Sequence, residues 1–367
     1  AVHLALTTGV AEEIRRGRLP GAVPEEAATA GGMVALAMGK MGAGELNYSS
    51  DIDLICLFDE TRYPGAEQEA RASFIKVTRR MTAILSDVTD GYVFRSDLRL
   101  RPDASVTPVC LSMAAAEAYY EAEGRTWERA AYIKARPCGG DLAAGARFLK
   151  TLTPFVWRKH LDFAAIQDAH DMRLRIRDHR GLHGPITVEG HNLKLGAGGI
   201  REIEFFTQTR QLIAGGRDPD LRDRTTVGGL AALAGKGWVP AEVADELTGL
   251  YRAHREVEHR LQMVNDAQTH SMPTTPDGVA RIAAFCGQDE PAFREGLLQR
   301  LAQTDRLTEG FFSPGEAEEG PELSEQARAI VEGWQSYPAL RSERAQTIFR
   351  RLRPQLLKQL SRAAHPD

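Results

Sequence analysis

The sequence is poor in cysteine, with four in 367 residues, and Cys56, Cys110, Cys138 and Cys286 show no CxxC spacing. That excludes a disulfide-built scaffold and a structural zinc site, and it fits a reducing, cytoplasmic setting. Cys56 and Cys110 lie inside apolar segments, where thiols are ordinarily buried. No apolar run approaches the roughly 20 residues needed to cross a bilayer, so no membrane partner is expected. The N-terminus, AVHLALTTGVAEEIRRGRLP, lacks the basic, apolar and small-residue order of a signal peptide. A surplus of positive charge is missing too: 46 Lys and Arg stand against 50 Asp and Glu, a net charge of -4. Basic and aromatic residues do not interleave, so nucleic acid is not an expected partner. There is no initiating methionine; Ala1 opens in what reads as the middle of a helix, and a piece of a longer chain is expected.

What is present is the composition of a globular protein, 43% hydrophobic and 26% charged. The length exceeds what one core usually holds, so two or three structural units are expected. Residues 2–17 read as a helix ended by Pro20 and Pro24. Met33 to Met38 is an apolar run leading into glycines, as a buried strand leads into a tight loop. Leu54 to Phe58 reads as a second strand and 66–88 as a helix. A third strand is expected from Tyr92 to Leu100, with Arg95, Asp97, Arg99 and Arg101 sharing one face. Helices are expected over 112–136 and 141–178, then a short β-like stretch, ITVEGHNLKLG. After Gly199 the pattern is helical, clearest over 240–265, where Val243, Leu247, Leu250, His254, Val257, Leu261 and Val264 form a stripe that makes His254 a core residue. His259 and His270 have no partner at metal-ligand spacing. SPGEAEEGPE (313–322) reads as an acidic linker before a last helix over 324–362.

The chemistry concentrates in GKMGAGELNYSSDIDLICLF, Gly39 to Phe58. Asp51 and Asp53 are two apart at the start of a strand, so both carboxylates face the same way. They repel unless a positive charge lies between them, and Mg²⁺, a hard cation that prefers oxygen ligands, suits the position. Gly39, Gly42 and Gly44 let a backbone approach a phosphate, although the loop lacks the pattern of a Walker motif. Alone, a DxD also describes a turn with two exposed aspartates. Asp97, unfavourable in a strand by propensity, needs a reason. One is pairing with its arginine neighbours; the other is a third metal ligand, with Arg99 and Arg101 reaching phosphate oxygens. Three carboxylates on neighbouring strands can hold two Mg²⁺ ions, the arrangement that clamps attacking and leaving oxygens at phosphorus. Gly198 and Gly199 open a helix whose amides could receive an anion, or they form a plain helix start. Glu202 and Glu204 follow in its first turn, where carboxylates suit the dipole.

The glycine loop, the DxD and the later strand aspartate resemble the polymerase-β-type nucleotidyltransferase superfamily. GKMGAGELNYSSDIDL, FRSDLRLRPD, GRTWERAAYIKARP, LKLGAGGIREIEFF and GGRDPDLR resemble, in order, the bacterial glutamine synthetase adenylyltransferase/deadenylylase family. Ala43, where a glycine is common, and Ser96, where a larger apolar residue is common, depart from the pattern without touching a proposed ligand. The resemblance implies an α+β fold: a nucleotidyltransferase core (mixed sheet with helices) followed by a helical bundle. The expected divisions are a helical lead-in at 1–30, a catalytic domain at 31–198, a helical domain at 199–312, and the linker and last helix at 313–367.

The resemblance also implies Asp51, Asp53 and Asp97 as catalytic residues and Mg²⁺ ligands, and Lys134 as a further catalytic residue. Gly39, Ser50, Arg99, Arg101, Arg136, Gly198, Gly199 and Arg201 become candidates for nucleotide or phosphate contact. Lys134 and Arg136 are placed on the helix after Trp127-Glu128, where two residues apart they do not share a face. YIKARP and LKLGAGGIREIEF look more like the adenylyl-removing half than the transferring half. The implied reaction is phosphorolysis of adenylyl-tyrosine on glutamine synthetase, releasing ADP. The implied partners are glutamine synthetase, a PII-type signal protein, ATP or ADP, and phosphate. AMP transfer from ATP and a non-catalytic PII-binding module remain alternatives; a small-molecule nucleotidyltransferase is a more distant one.

Overall fold

Two apolar runs build the centre of the molecule. In the computed structural model, which describes residues 1–159 and 186–312, they form β1 (Met33–Ala37) and β2 (Ile52–Phe58). Every residue of both is buried except Asp53. Strands covered on both faces need no hydrophobic alternation, which is why these segments read as continuous apolar runs. The two pair antiparallel, from Met33 opposite Phe58 to Ala37 opposite Leu54. On the second edge of β2 lie β3 (Ser96–Asp97) and β4 (Cys110–Ser112), both parallel to it, and β5 (Arg136–Gly140) runs antiparallel beside β1. The sheet order is β3-β2-β1-β5, with β4 also on β2, so the sheet is mixed.

Helices cover both faces. On one, α1 (Val2–Arg15) and, beyond the five-residue α2 (Gly39–Ala43), α3 (Glu67–Ser86) bring Leu6, Val10, Phe74 and Met81 onto Met33, Ala35, Leu54 and Cys56. On the other, α4 (Met113–Ala122), α5 (Thr126–Tyr132), α6 (Leu142–Thr151) and α7 (Thr153–Val156) bring Tyr120, Phe148 and Phe155 onto Leu36, Ile55 and Leu57. The two-residue period of the strands thus deals their side chains alternately into two cores. A run of helices follows: α8 (Ile200–Ala214), α9 (Thr226–Gly235), α10 (Ala241–Asn265), α11 (Pro276–Phe285) and α12 (Glu290–Phe312). Val257 and Leu261 of α10 anchor a third cluster with Val279, Ile282, Phe293 and Leu297. The α+β architecture, sheet first and helices after, is the one expected. No described helix is long and apolar enough to cross a membrane.

The chain divides into two compact units, residues 1–305 and 306–367, and the site lies wholly in the first. Several elements differ from expectation. The third strand shrinks to Ser96–Asp97, because the Asp97 carboxylate accepts the Arg99 amide at 2.8 Å and turns the chain out of the sheet. The expected helix over 112–136 is broken: its first residue ends β4, α4 and α5 follow, and its last residue, Arg136, opens β5. The ITVEGHNLKLG stretch is a series of turns with one bridge, Asn192 to Ser271. The Asn192 side-chain oxygen accepts the amides of Lys194 and Leu195, a local bond that competes with a strand. Residues 160–178 of the expected long helix, and the linker and last helix at 313–367, lie outside the described residues.

Candidate functional site

The parallel pairing of β2 and β3 sets Asp97 directly opposite Asp53, with Ile52 opposite Ser96. Asp51 stands just before β2, on the same side as Asp53. One carboxylate oxygen from each of Asp51, Asp53 and Asp97 lies within 4.8 Å of the others. Three acids at that distance cannot all ionise without cost. Burial pushes the Asp53 carboxyl up to about 6, and the charges of Asp51 and Asp97 add to the push. Burial acts the same way on Asp97, but hydrogen bonds from the Arg99 side chain and amide outweigh it and hold that carboxyl below its ordinary value. Asp97 thus pairs with Arg99 and lies in the acidic triad at the same time. An open cleft of about 410 Å³ lies over these residues, lined by Asp51, Thr82, Arg95, Ser96, Asp97, Leu98, Arg99 and Gln268.

The glycine loop folds against the triad as α2. Gly39 has φ +51°, and a Cβ there would stand 2.9 Å from the Asp53 carboxylate, so only glycine admits this approach. Ser50 is 4% exposed, and its hydroxyl has no hydrogen-bond partner among the described residues. Lys40, the second residue of α2, has a fully enclosed Nζ that is also without a partner. Burial lowers its ammonium to about 8, opposed by Glu258 and reinforced by Lys194. The Lys194 ammonium is lowered in turn by burial and by Arg201. Orphaned buried polar groups are rare in folded proteins, and among the described residues Arg95 Nε and Ser96 Oγ join these two around one carboxylate cluster. Arg95 supports the loop from outside, donating to Ser49 Oγ at 2.7 Å and to Tyr92 Oη at 2.8 Å.

Most of the other basic candidates have different work. Lys134 follows α5 in a turn and Arg136 opens β5, so neither is on a helix. Lys134 is buried, with Glu204 at 3.0 Å and Glu45 at 3.3 Å. Burial alone would raise the Glu204 carboxyl, but Lys134 and Arg201 hold it well below its usual range. Arg136 donates to the Gly42 and Met41 carbonyls at 3.2 and 3.1 Å, closing the C-terminal end of α2. Arg101 donates to the Leu98, Ala104 and Thr107 carbonyls and fastens the turn after β3. Arg201 meets Glu204 at 3.5 Å. Arg99 is the exposed one, its side chain 84% open to water while it holds Asp97.

Gly198 and Gly199 do open α8, but their amides are not offered to a ligand. Gly198 donates to Glu202, Gly199 to the Gly196 carbonyl, Ile200 to Leu193 and Arg201 to Lys194. Gly198, at φ +69°, is required for packing: a Cβ would fall 1.9 Å from the Leu301 carbonyl oxygen. The plain helix start is the reading that fits.

A buried polar hub lies behind the loop. Arg255 donates to the Glu45 carbonyl at 2.8 Å and to the Asn47 side chain, and pairs with Glu258 at 2.7 Å. Asn47 donates to Glu258 at 2.6 Å and to Gln262 at 3.2 Å, and His270 meets Glu258 at 2.7 Å. His254, fully buried, meets Thr304 at 3.2 Å, as a core histidine should. The sequence signal for the hub was available: Glu258 falls four residues after His254 on the apolar stripe, where a carboxylate needs a partner.

Residues 2–151 match the family model described as glutamate-ammonia ligase adenylyltransferase, and residues 170–313 match one described as GlnD PII-uridylyltransferase. Similar curated proteins include one from Bradyrhizobium sp. (strain ORS 278), 47% identical across the whole chain, and one from Rhodopseudomonas palustris (strain ATCC BAA-98 / CGA009), 45% identical across the whole chain. A third, from Rhizobium meliloti (strain 1021), is 54% identical over 75% of the chain and 28% of its own length. All three are named bifunctional glutamine synthetase adenylyltransferase/adenylyl-removing enzyme. The chain spans 40% of the length of the first two.

Proposed function

Because the chain belongs to the glutamate-ammonia ligase adenylyltransferase family, we propose that it removes AMP from a tyrosine of glutamine synthetase by phosphorolysis. The observation that carries this reading is the convergence of Asp51, Asp53 and Asp97 beside the Gly39 loop. Their mutual repulsion and the raised Asp53 carboxyl are what an oxygen-ligated divalent cation relieves, so the residues fit Mg²⁺. When bound, Mg²⁺ would supply charge stabilisation at the phosphoryl group undergoing transfer.

The protein's own part is positioning. Gly39 lets the loop backbone approach the phosphoryl group, and the Ser50 hydroxyl and Lys40 ammonium offer donors that nothing among the described residues uses. Arg99 orients Asp97 and stands at the cleft mouth. A phosphate oxygen attacks the α-phosphorus, the bond from phosphorus to the tyrosine oxygen breaks, and the products are ADP and the phenol. Because a phenolate is a fair leaving group, alignment and charge stabilisation carry most of the acceleration. Lys134 contributes by fixing Glu45 and Glu204 behind the loop rather than by touching the phosphoryl group.

We assign catalysis to residues 31–198 and binding of glutamine synthetase or a PII-type signal protein to residues 199–312. The match of 170–313 to a PII-uridylyltransferase model supports the second assignment. The removing direction rests on the YIKARP and LKLGAGGIREIEF strings, and the reading places the chain in the cytoplasm with its nucleotides. The test is to incubate the chain with adenylylated glutamine synthetase, Mg²⁺ and phosphate. Phosphate-dependent ADP, absent in Asp51→Asn, is the expected result. AMP transfer from ATP without ADP release would reverse the direction, and silence both ways from a folded chain would favour a non-catalytic module.

A further inference from the structure

The turn that follows α10 brings one side chain into the cleft over the acidic triad and gives it no work inside the protein. Gln268 lines the same cleft as Asp51 and Asp97, yet it comes from the helical region. The backbone on either side of it is fastened. Asp266 ends α10 in the left-handed conformation at φ +47°, and the Ala267 amide donates to the Gln262 carbonyl at 3.2 Å. On the far side the Thr269 carbonyl accepts the Gln262 carboxamide at 3.3 Å, and His270 meets Glu258 at 2.7 Å. The His270 carbonyl accepts the Leu193 amide at 2.8 Å. Gln262 and Glu258 are both fully buried. Between these anchors Gln268 is exposed, and its carboxamide has no hydrogen-bond partner among the described residues. A rigid mounting for a side chain without an internal partner points to a partner from outside.

The other polar groups of the cleft are committed. Asp97 is held by Arg99, Arg95 donates to Ser49 and Tyr92, and the Thr82 hydroxyl donates to the Thr78 carbonyl at 3.1 Å. The Ser96 hydroxyl and Arg95 Nε lack partners but are closed off from solvent. Gln268 therefore offers the cleft a neutral group that both donates and accepts.

The cleft, at about 410 Å³, is of the size that encloses a whole small molecule, so a phosphoryl group at the triad leaves much of it open. In an adenylyl group, ribose and then a purine are tied to that phosphoryl group. Adenine presents an amino group beside a ring nitrogen, a donor next to an acceptor, and a carboxamide matches the pair with two bonds. Arg95 sits over the Tyr92 ring at 5.1 Å, which holds its planar guanidinium as a surface for the flat of a base. A peptide segment also carries donors and acceptors, but it has no flat face for that cation.

We propose that Gln268 is the residue that reads adenine, its carboxamide taking the 6-amino group and the adjacent ring nitrogen, with Arg95 against the ring. The inference rests on the function proposed above for the presence of an adenylyl group in the cleft. It divides the labour within the site. The carboxylates come from the sheet and its edge, and base selection comes from the turn after α10.

The test is a thermodynamic cycle, measured by calorimetry on the full chain with Mg²⁺ and without glutamine synthetase, so the outcome does not depend on turnover. ADP and purine riboside diphosphate, which differs from it only in lacking the 6-amino group, are titrated into the wild type and Gln268→Leu. The wild type should bind ADP about tenfold more tightly than the analogue, and Gln268→Leu should bind the two within about twofold of each other. Gln268→Leu should unfold at the wild-type temperature, because it loses no partner; Gln268→Ala gives a second reading if the leucine variant does not fold.

Equal affinity of the wild type for the two ligands, an undiminished preference for ADP in the variants, or no binding of ADP by the wild type overturns the proposal. The phosphorolysis assay is read separately. Turnover together with an undiminished ADP preference in Gln268→Leu rejects base reading by Gln268 alone. A preference that depends on Gln268, with a silent assay, leaves the base site standing and rejects the proposed reaction.

Discussion

Asp53 is the single incompletely buried residue of β2, and its carboxyl is pushed up to about 6 by burial and by two neighbouring acids. A carboxyl raised on folding favours the native state while it is protonated. That contribution is complete below the ordinary value near 3.8 and is lost as pH rises through about 6. At neutral pH, without metal, Asp53 therefore works against folding. Asp53→Asn should unfold at a higher temperature than the wild type at pH 7.5 without metal, and should lose any upward shift on adding Mg²⁺. In the wild type that shift should fade as pH falls below about 6. A lower unfolding temperature for the variant, or an undiminished Mg²⁺ response, would remove the basis for placing a cation there. The DxD itself was plain in the sequence, because two residues of strand spacing fix two side chains on one face. Which bases the fold leaves without a partner was not. Lys134, Arg136, Arg101 and Arg201 were the candidates and Lys40 was not among them, and only the partners each finds in the fold distinguish them.

Among elements, α10 is the one that holds the glycine loop in place. Its Arg255 and Glu258 close on Glu45 and Asn47 from behind the site. Removing Glu258 leaves the Arg255 guanidinium buried without its carboxylate, and breaking such a pair costs about 3–5 kcal/mol. Glu258→Ala should lose that much in urea unfolding, whereas the double replacement Arg255→Met with Glu258→Met should recover most of it. A loss below about 1 kcal/mol for Glu258→Ala would mean that the hub is not cooperative. The amphipathic helices and the two apolar strands were legible from their periods. β5 was not, because Pro137, Gly139 and Gly140 are residues that strands avoid, and the segment pairs through an irregular register. β3 and β4 are two and three residues long, too short for any period to appear. Their places are set by partners on β2 that are 44 and 54 positions away in the chain.

Over the whole molecule the acid and base terms pull stability in opposite directions as pH falls. His254 is fully enclosed in the helical region, and burial lowers its imidazole to about 3. A histidine held neutral contributes stability that is complete above the ordinary value of 6.5 and is lost as pH drops toward 3. The wild type should therefore lose ground against His254→Leu as pH falls from 6.5 to 4, read as the difference in unfolding free energy between the two at each pH. A difference that does not change with pH would show that the imidazole is not held neutral. Taking the difference cancels the opposite trend from Asp53.

The register of the sheet has one more consequence. Cys56 of β2 lies opposite Cys110 of β4, and burial raises both thiols above their ordinary range. Cys138 and Cys286 are partly open by comparison. The chain thus carries its own clock for breathing motions. A modifying reagent can reach the first two sulfurs only when the helix Glu67–Ser86 lifts from that face of the sheet, and their lag behind the other two measures how rarely the layer comes open.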